Sequence, residues 1–395
     1  MAAASLQAVS RWRCCCARIG KTGSWREVIG YEKFRNGVLS HTILIMAGGT
    51  GGHVFPGLAV AEYLKAAGWR IVWLGTEGGM ETTLARQQGH ALETIRFSGL
   101  RGKNVRTWLL LPARLLLAFW QSARVIRKVR PDVVLGMGGY PAFPGGMMAS
   151  LLARPLLIHE QNSIPGLANR ILSRLADRVL LGFPDAIKSE KKAVFCGNPV
   201  RDEITRLAPP AQRYAGRSGS IKLLVVGGSL GAQALNTIVP RALKRIPEGM
   251  RPQVTHQAGA RHLEALKQNY SEAGVEGELV TFIDNMASRY GESDLVICRA
   301  GALTVSELAA AGVASILVPF PYAVDDHQST NAKFLSGKGA AILLPQSQLT
   351  PEGLAELLVG MSRGQLMEMA CRARELAQPD ATRCVAETCM QMVAV

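Results

Sequence analysis

The stretch TILIMAGGTGGHVFPGLAVAEYL, residues 42–64, places a short apolar run directly before a glycine-rich turn and a helical pattern. Four glycines between positions 48 and 52 let the backbone take positive φ and come close to a ligand. A helix that begins there offers free N–H groups and the positive end of its dipole. The stretch therefore predicts a strand, a turn and a helix that bind an anion, with His53 inside the turn.

A second stretch, KLLVVGGSLGAQ at residues 222–233, repeats this pattern in the other half of the chain. The first turn does not read G-x-G-x-x-G, because Val54 stands where the third glycine would be, and this argues against a nicotinamide cofactor. Apolar runs alternate with helical patterns along both halves, which is typical of parallel sheets covered by helices on both faces. We therefore predict an α/β protein with two doubly wound parallel-sheet domains, which bind ligands in the cleft between them.

The predicted strands form two series of six, separated by the loose stretch APPAQRYAGRSGS at residues 208–220. The first series covers 42–47, 70–74, 132–135, 155–159, 178–181 and 193–196. The second covers 221–226, 253–257, 278–282, 295–298, 315–318 and 341–344. We place the domain boundary after residue 200, so that the domains cover 41–200 and 201–379.

Charge is distributed unevenly along the chain, whose formal net charge is +15. Residues 41–200 carry 19 Lys/Arg and 9 Asp/Glu, whereas residues 201–395 carry 19 of each. This asymmetry predicts an anionic surface or ligand for the first domain. Residues 1–40 are rich in arginine and lack an apolar core for a secretory signal, so we expect a disordered extension. A transit peptide and a start codon assigned too far upstream are the alternatives.

Eight cysteines occur without any C-x-x-C pair or ligand-like spacing with histidine, which indicates a reducing cytosol. No run of 18 apolar residues is present, so a transmembrane helix is not expected.

A basic and apolar segment, residues 99–132, lies in the first half. Between Glu93 and Asp132 the chain has nine Lys/Arg and no acidic residue. A helix starting near Pro112 would have one apolar face, made of Leu116, Phe119, Trp120, Ala123 and Ile126. Further apolar side chains, Trp108, Leu115 and Leu117, fall outside that face. This surplus favours an interfacial membrane patch over a plain core helix, and Trp108, Leu117, Trp120 and the basic Arg124, Arg127 and Lys128 are its predicted members.

Two stretches of the second half suit a nucleotide sugar. In CRAGALTVSELAAAG, residues 298–312, a strand ends at a glycine and a new helix begins, with Glu307 near its start and able to bind a diol such as ribose. The alternative for Glu307 is a capping carboxylate. In VPFPYAVDDHQSTNA, residues 318–332, acidic and amide side chains gather in a loop that suits sugar hydroxyls, or is simply solvated.

Nine motifs occur in order over residues 42–332: GGTGGHVFPGLAVA, SGLRGK, GMGGY, HEQN, GNPVR, GGSLGA, FIDNMA, GALTVSELAAAG and DDHQSTNA. In these the sequence resembles the MurG family of bacterial glycosyltransferases. The resemblance implies the GT-B fold, two Rossmann-like domains with a cleft between them, and a last helix at 380–395 that packs back on the first domain. It implies an inverting transfer of N-acetylglucosamine from UDP-GlcNAc to the muramyl 4-hydroxyl of lipid I, the undecaprenyl-pyrophosphoryl-MurNAc-pentapeptide, giving lipid II for peptidoglycan.

The resemblance also implies partners and a location. The enzyme would be a peripheral protein on the cytoplasmic face of the bacterial inner membrane, in contact with anionic lipid and with proteins of cell-wall synthesis and division. It would not bind nucleic acid. The alternatives are a UDP-sugar enzyme with another lipid acceptor, a UDP-GlcNAc epimerase and a non-enzymatic binding module.

The resemblance also implies a donor site, the place where UDP-GlcNAc binds. Its residues come from both glycine turns and from later stretches of each half: Thr50, Gly51, Gly52, Asn162, Arg201, Ser229, Ile283, Ala302, Leu303, Thr304, Val305, Ser306, Glu307 and Gln328. The backbone of Ile283 would face the uracil, and Gln328, or its neighbour His327, would read the sugar hydroxyls. Gly138, Gly139 and Tyr140 would shape the acceptor site.

No D-x-D motif occurs, so we expect no metal and no other cofactor, and the departing diphosphate would be neutralised by helix N-termini and Arg201. The step needs a base, for which His53 and Glu160 are the candidates. His159 is weaker, because a buried histidine is the simpler interpretation. The anion on the first turn would be the acceptor's diphosphate, and His53 is then either the base or an anchor for that group.

Overall fold

The structure, a computed structural model, describes residues 41–97, 110–187, 192–228, 231–259 and 261–393. The extension that we predict at 1–40 lies outside the described residues, as do Trp108 and Ser229. Predictions that concern them stay predictions.

The first sheet has seven parallel strands in the order β3-β2-β1-β4-β5-β6-β7. With its helices it forms the first lobe, whose elements are β1 Thr42–Ala47, α1 Gly51–Ala66, β2 Arg70–Thr76, α2 Met80–Gln87, β3 Ala91–Ile95, α3 Leu111–Val129, β4 Val133–Gly138, α4 Ala142–Leu151, β5 Leu156–Glu160, α5 Leu167–Leu175, β6 Arg178–Leu181 and β7 Ala193–Phe195. Strand β1 lies between β2 and β4. The strand order reverses there, so a crevice opens at the carboxyl ends of β1 and β4.

The second sheet has six parallel strands in the order β10-β9-β8-β11-β12-β13. The second lobe and the connections to it contain α6 Asp202–Thr205, α7 Pro210–Tyr214, β8 Lys222–Val226, α8 Gln233–Arg245, β9 Gln253–Gln257, α9 Leu263–Ala273, β10 Glu278–Val280, α10 Met286–Glu292, β11 Leu295–Cys298, α11 Ala302–Ala311, β12 Ala314–Leu317, α12 His327–Ser336, β13 Ile342–Leu343, α13 Pro351–Gly360, α14 Arg363–Glu375 and α15 Ala381–Gln391. The reversal lies between β8 and β11. The boundary that we predict after residue 200 falls in the connection between the two sheets.

Strand β1 shows why both faces of the first sheet are covered. All its residues are buried and those after Thr42 are apolar, and alternate side chains point to opposite faces. Ile43 and Ile45 pack with the side chains of α1, whereas Leu44 and Met46 pack with those of α3 and α4. A continuous apolar run therefore serves two hydrophobic cores at once.

The last helix, α15, belongs in space to the first lobe. Val385, Ala386 and Cys389 are fully buried in the same cluster as Ile43 and Trp73. The chain therefore leaves the first sheet after β7, builds the second sheet, and returns to pack on α1.

The apolar face that we predict for helix α3 is divided between the core and the surface. Its buried side chains are Ala118, Ser122, Ala123, Val125, Ile126 and Val129. Of the apolar face that we predict, Ala123 and Ile126 are buried, whereas Leu116 is 69% exposed and Trp120, a predicted member of the membrane patch, is 58% exposed. The small and β-branched side chains of the helix are thus buried, whereas the larger Leu116, Leu117 and Trp120 lie on its outer side.

Candidate functional site

The first glycine turn leaves a helix N-terminus open. Helix α1 begins at Gly51, and the side chain of the preceding Thr50 makes no capping hydrogen bond. No acidic side chain occupies the first turn of the helix. Because the first N–H groups of a helix have no intrahelical partner, this end can donate hydrogen bonds to a phosphate.

Two glycines at the end of β4 let the turn after β4 lie against the first glycine turn. Gly139 has φ +81°, and a Cβ built on it would lie 1.9 Å from the carbonyl oxygen of Gly48. Gly138 has φ +99°, and a Cβ there would lie 2.7 Å from Nδ1 of His53. Only glycine fits either position, which explains the pair of glycines in GMGGY. Tyr140 follows, 45% exposed and packed against Gly49.

Glu81 connects the first glycine turn to the end of β2 through hydrogen bonds, and sequence reasoning missed it. The side chain is fully buried and accepts hydrogen bonds from Thr76 N at 2.9 Å and Thr76 Oγ1 at 2.7 Å. Gly49 N lies 3.4 Å from its other oxygen. In the sequence it is one acidic residue in the first turn of a helix, a pattern that normally indicates a solvated position.

His53 is joined to the interior by a line of polar groups. Its Nδ1 lies 2.9 Å from Oε1 of Gln161, whose Nε2 lies 3.0 Å from Nδ1 of His159. His159 Nε2 in turn lies 3.0 Å from the carbonyl oxygen of Gly197. Burial lowers the pKa of His159 to about 4, so it is neutral at pH 7. Gln161, which sequence reasoning did not single out, links the two histidines.

Glu160 shapes the loop that follows β5. It is 2% exposed, and its carboxylate accepts hydrogen bonds from Asn162 N at 2.9 Å, Asn169 Nδ2 at 2.9 Å and Gly166 N at 3.1 Å. Both oxygens are thus used by the loop and by the first turn of α5. This geometry favours His53 over Glu160 as the base, and both assignments stay predictions.

A cavity of about 560 Å³ lies between the two lobes. The first lobe contributes His53, Tyr140 and Glu160, and the second contributes Asp325 and His327. Asp325 and the next residue, Asp326, both have positive φ, an uncommon backbone region that aspartate tolerates better than most residues. The turn brings His327 to the cavity. Its neighbour Gln328 instead accepts a hydrogen bond from Phe320 N at 2.9 Å.

Glu307 carries the predicted ribose-binding role, and two groups hold it in place. Arg201 Nη2 lies 3.1 Å from one carboxylate oxygen, and the Tyr290 hydroxyl donates to the other at 3.3 Å. Burial raises the pKa of Glu307, and the charge of Arg201 opposes part of that shift. The ion pair joins the connection between the sheets to α11.

The N-terminus of α11 resembles that of α1. Gly301 precedes it in an extended conformation, without a side-chain cap. Of the predicted donor residues here, Ala302 and Val305 are buried in the core, while Leu303 and Thr304 are partly exposed. The Ser306 hydroxyl accepts from Asn198 Nδ2 at 3.0 Å and donates to Ala302 O at 3.0 Å. The backbone N–H groups are thus the clearest anion-binding feature.

Ile283 lies in the core next to a shallow surface depression of about 480 Å³. Its side chain is 8% exposed, and no hydrogen bond joins its backbone to another described residue. Phe282, which is 61% exposed, borders the same depression. A flat base could stack and pair there. Among the described residues, no group of three His, Cys, Asp or Glu side chains is placed to hold a metal ion.

Asn331 joins the two lobes and was not anticipated. It is fully buried, and its Oδ1 accepts from Ser163 N at 2.9 Å and from Ser163 Oγ at 2.8 Å. Its Nδ2 donates to Ala300 O at 3.2 Å and to Asn162 Oδ1 at 3.3 Å. Asn162, which we predict to belong to the nucleotide-sugar site, is therefore positioned by a residue of the second lobe. A single asparagine in a helical stretch gives no sequence signal for such a contact.

Stability should fall in mild acid because of two buried histidines. Burial lowers the pKa of His159 to about 4 and that of His256 to about 3, from an ordinary value of 6.5. The unfolded chain thus binds more protons below pH 6.5, so their contribution is complete above pH 6.5 and is lost as the pH falls towards 4 and 3. Each group adds a slope of up to about 1.4 kcal/mol per pH unit.

Urea unfolding between pH 7.5 and pH 5 measures this slope. The His256→Gln variant should show a shallower dependence, since one of the two groups is gone. A free energy of unfolding that stays level between pH 7 and pH 5.5 in the parent chain would contradict the burial argument.

Comparison with known proteins bears on both lobes. The glycosyltransferase family 28 N-terminal domain matches residues 43–181, and the glycosyltransferase family 28 C-terminal domain matches residues 222–389. A UDP-N-acetylglucosamine–N-acetylmuramyl-(pentapeptide) pyrophosphoryl-undecaprenol N-acetylglucosamine transferase of Nitrosomonas europaea is 63% identical over 350 residues, covering 88% of this chain and 98% of the relative. The transferase of the same name from Cupriavidus metallidurans is 60% identical over 353 residues, covering 89% of this chain and 98% of the relative.

Solved structures agree with the fold. The crystal structure of Acinetobacter baumannii MurG superposes with a TM-score of 0.78 at 41% identity, covering 89% of this chain and 99% of that one. A crystal structure of Anabaena HepE with UDP and glucose gives a TM-score of 0.58 at 16% identity, covering 88% of this chain and 98% of that one. At that identity the likeness concerns the fold alone.

Proposed function

The chain belongs to the MurG transferases of glycosyltransferase family 28, and from that premise we propose how its cleft transfers a sugar. The enzyme moves N-acetylglucosamine from UDP-GlcNAc to the MurNAc-pentapeptide carried on pyrophosphoryl-undecaprenol, which converts lipid I to lipid II. Its two parallel-sheet lobes have the GT-B arrangement. The observation that carries the proposal is His53, which lies in a cavity lined by both lobes and beside an open helix N-terminus.

In this mechanism the muramyl 4-hydroxyl attacks the anomeric carbon of the sugar. A new bond forms from that oxygen to the carbon, the bond to UDP breaks on the opposite side, and the configuration inverts. His53 accepts the hydroxyl proton as the bond forms. The negative charge that develops on UDP is met by the N–H groups at the start of α11 and by Arg201. The N-terminus of α1 holds the acceptor's diphosphate.

Product analysis tests the reaction. Purified enzyme is given radiolabelled UDP-GlcNAc and a short-chain lipid I analogue, and we expect the label in a disaccharide-linked lipid together with one UDP per transfer. Release of UDP with free sugar, or conversion of the donor to its epimer without an acceptor, would overturn the proposal.

The lobes would divide the two substrates between them. We assign the acceptor and the membrane surface to residues 41–200 together with the helix at 380–395. UDP-GlcNAc is assigned to residues 201–379. The separate family matches to each lobe and the uncapped helix N-termini of α1 and α11, one in each lobe, support this division.

Glu307→Ala should weaken UDP binding by about 1–3 kcal/mol, the usual loss when a charged hydrogen-bond acceptor is removed. Isothermal titration with UDP measures the change. Glu264→Ala is the matched control, because Glu264 lies in the same lobe and pairs with Lys267 on an exposed helix face. Unchanged UDP affinity in a folded Glu307→Ala protein would remove Glu307 from the site.

We also assign a membrane-facing role to the outer side of α3. None of the described helices combines the length and apolar character needed to cross a bilayer. Leu116, Leu117 and Trp120 are nevertheless exposed, and the guanidinium of Arg124 lies 5.8 Å from the Trp120 ring centroid. Exposed apolar side chains beside basic ones suit an interface with anionic headgroups, at the cytoplasmic face of the inner membrane. Lys128, which we predict to take part, instead pairs with Glu93 at 2.6 Å.

The membrane patch, Leu116, Leu117 and Trp120, should be separable from catalysis. Changing all three to glutamine should reduce binding to anionic liposomes and activity on membrane-embedded acceptor, while short-chain activity and melting temperature stay near the parent values. Changing Arg114, Arg124 and Arg127 to glutamine should cost roughly 1 kcal/mol of liposome binding per charge, and added salt should mimic it.

Matched controls come from the second lobe. Met250→Gln removes an exposed apolar side chain, and Arg241→Gln with Lys244→Gln removes exposed charges. Neither should alter liposome binding. If the patch variant melts much lower and loses both activities together, the patch is structural.

A further inference from the structure

The hydrogen bonds behind His53 have a direction that one backbone group fixes. The carbonyl oxygen of Gly197 can only accept, so the Nε2 of His159 that lies 3.0 Å from it must carry a proton. Because burial keeps His159 neutral, its Nδ1 then has a lone pair and accepts from Nε2 of Gln161. The amide of Gln161 is thereby oriented.

The same logic continues to His53. With its NH₂ group directed to His159, Gln161 presents Oε1, an acceptor, to Nδ1 of His53 at 2.9 Å. Nδ1 of His53 must therefore carry the proton. No described residue forms a hydrogen bond with Nε2 of His53, and this side chain lines the cavity between the lobes.

We propose that Gln161 and His159 are positioning residues that hold His53 in its Nδ1–H tautomer, with the Nε2 lone pair kept ready for the acceptor hydroxyl. This inference rests on the proposed role of His53 as base. When Nε2 takes the hydroxyl proton, the oxygen's electron pair forms the new bond to the anomeric carbon and the old bonding pair leaves with UDP. The resulting imidazolium keeps its bond from Nδ1–H to the Gln161 oxygen.

Packing fixes the ring as well as its proton. A Cβ on Gly138 would lie 2.7 Å from Nδ1 and 2.9 Å from Cε1 of His53, so the imidazole lies directly over the glycine backbone. The backbone of Gln161 is also held in place, because Asn198 Nδ2 donates to the backbone carbonyl oxygen of Gln161 at 3.0 Å. The orienting group thus stands on buried neighbours, His159 and Asn198, as a preorganised site requires.

The ionisable groups around His53 must be considered before any pH profile is interpreted. His159 faces it through Gln161, and Tyr140, Glu160, Asp325 and His327 line the same cavity. Glu160 is engaged by donors of the loop that follows it and of α5. Gln161 is neutral, so Gln161→Glu adds one negative charge beside His53 and also replaces the N–H donor to His159 Nδ1 with an acceptor oxygen.

The direct test is the ring nitrogen spectrum of the full chain labelled with ¹⁵N-histidine at pH 7.5. His53 is assigned by the signals that disappear in His53→Gln, and His159 by those that disappear in His159→Gln. We expect a protonated Nδ1 and an unprotonated Nε2 for His53, with the reverse pattern for His159. A protonated Nε2 on His53 would overturn the proposal.

Kinetics supply the second readout. Gln161→Leu removes the acceptor, so kcat/KM should fall roughly 10- to 100-fold, as for other orienting partners, with little change in UDP affinity or melting temperature. Gln161→Glu restores an acceptor and adds a negative charge, which favours the imidazolium. Activity should therefore exceed that of Gln161→Leu, although the donor to His159 is lost, and the acidic limb of the kcat/KM profile should move to higher pH.

These outcomes distinguish the role of His53 as base from the positioning role of Gln161 and His159. An active His53→Gln enzyme would overturn the proposed base, whatever the tautomer. An inactive His53→Gln enzyme together with parent-like kinetics and pH profiles in both Gln161 variants would leave the base in place and overturn the positioning role.

Discussion

Replacing His53 by glutamine should lower kcat by roughly 10²- to 10⁴-fold, the usual contribution of a positioned general base. Glutamine is close in size and polar, so the turn and its contact with Gln161 should survive, but it cannot accept a proton. His53 is the side chain best placed for this role, because it lines the cavity and lies beside the helix N-terminus that would hold the acceptor's diphosphate.

The rival role for His53, an anchor for the acceptor's diphosphate, predicts a different kinetic pattern. Losing an anchor that binds ground state and transition state equally raises KM for the acceptor and leaves kcat near its parent value. Glu160→Gln is the matched comparison, since both side chains border the same cavity. We expect the smaller loss of kcat there, because Glu160 serves its own loop. A kcat that falls further in Glu160→Gln than in His53→Gln would reverse our assignment.

Gly139→Ala should destabilise the protein by roughly 2–5 kcal/mol. Two costs add: left-handed backbone at φ +81° costs a residue with a Cβ about 1–2 kcal/mol, and overpacking costs about 1–3 kcal/mol. The second cost should be near its upper end, because the clash at 1.9 Å is with the backbone oxygen of Gly48 and no side chain can move away. Urea unfolding measures the loss, and activity should fall with it because both turns border the cavity.

Gly89→Ala is the control that isolates the backbone cost. Gly89 has φ +73°, and a Cβ there would meet no atom within 4 Å. This variant should lose only about 1–2 kcal/mol. Equal losses in the two variants would show that the contact between the turn after β4 and the first glycine turn does not matter for stability, contrary to the packing described above.

The strands of both lobes were predictable because most are fully buried and read as continuous apolar runs. Strand β3 was missed for the opposite reason. Its sequence, ALETI, is neither a continuous apolar run nor a strict alternation, and at the sheet edge only its last residue is fully buried. A half-exposed edge strand of five residues gives too weak a pattern to distinguish from a loop.

The glycine turns and the two helix N-termini were predictable because they depend on local backbone chemistry. The buried polar residues were not. Glu81, Gln161 and Asn331 act through partners that are distant in sequence, and Asn331 bonds to Ser163 across 168 positions. A polar side chain in a sequence is compatible with solvent or with the interior, and only the fold decides between them.

The return of α15 to the first lobe has a mechanical consequence. The polypeptide passes between the lobes twice, and the two passes lie side by side, since a Cβ on Gly197 would meet Cβ of Gln378 at 2.3 Å. A single tether permits swivelling in every direction, whereas two adjoining tethers act as a hinge with one easy axis. Opening and closing about that axis brings the cavity-lining groups of the two lobes together in the same relative orientation each time. Rotation of one lobe about any other axis, which would misalign these groups, is resisted by the two connecting segments.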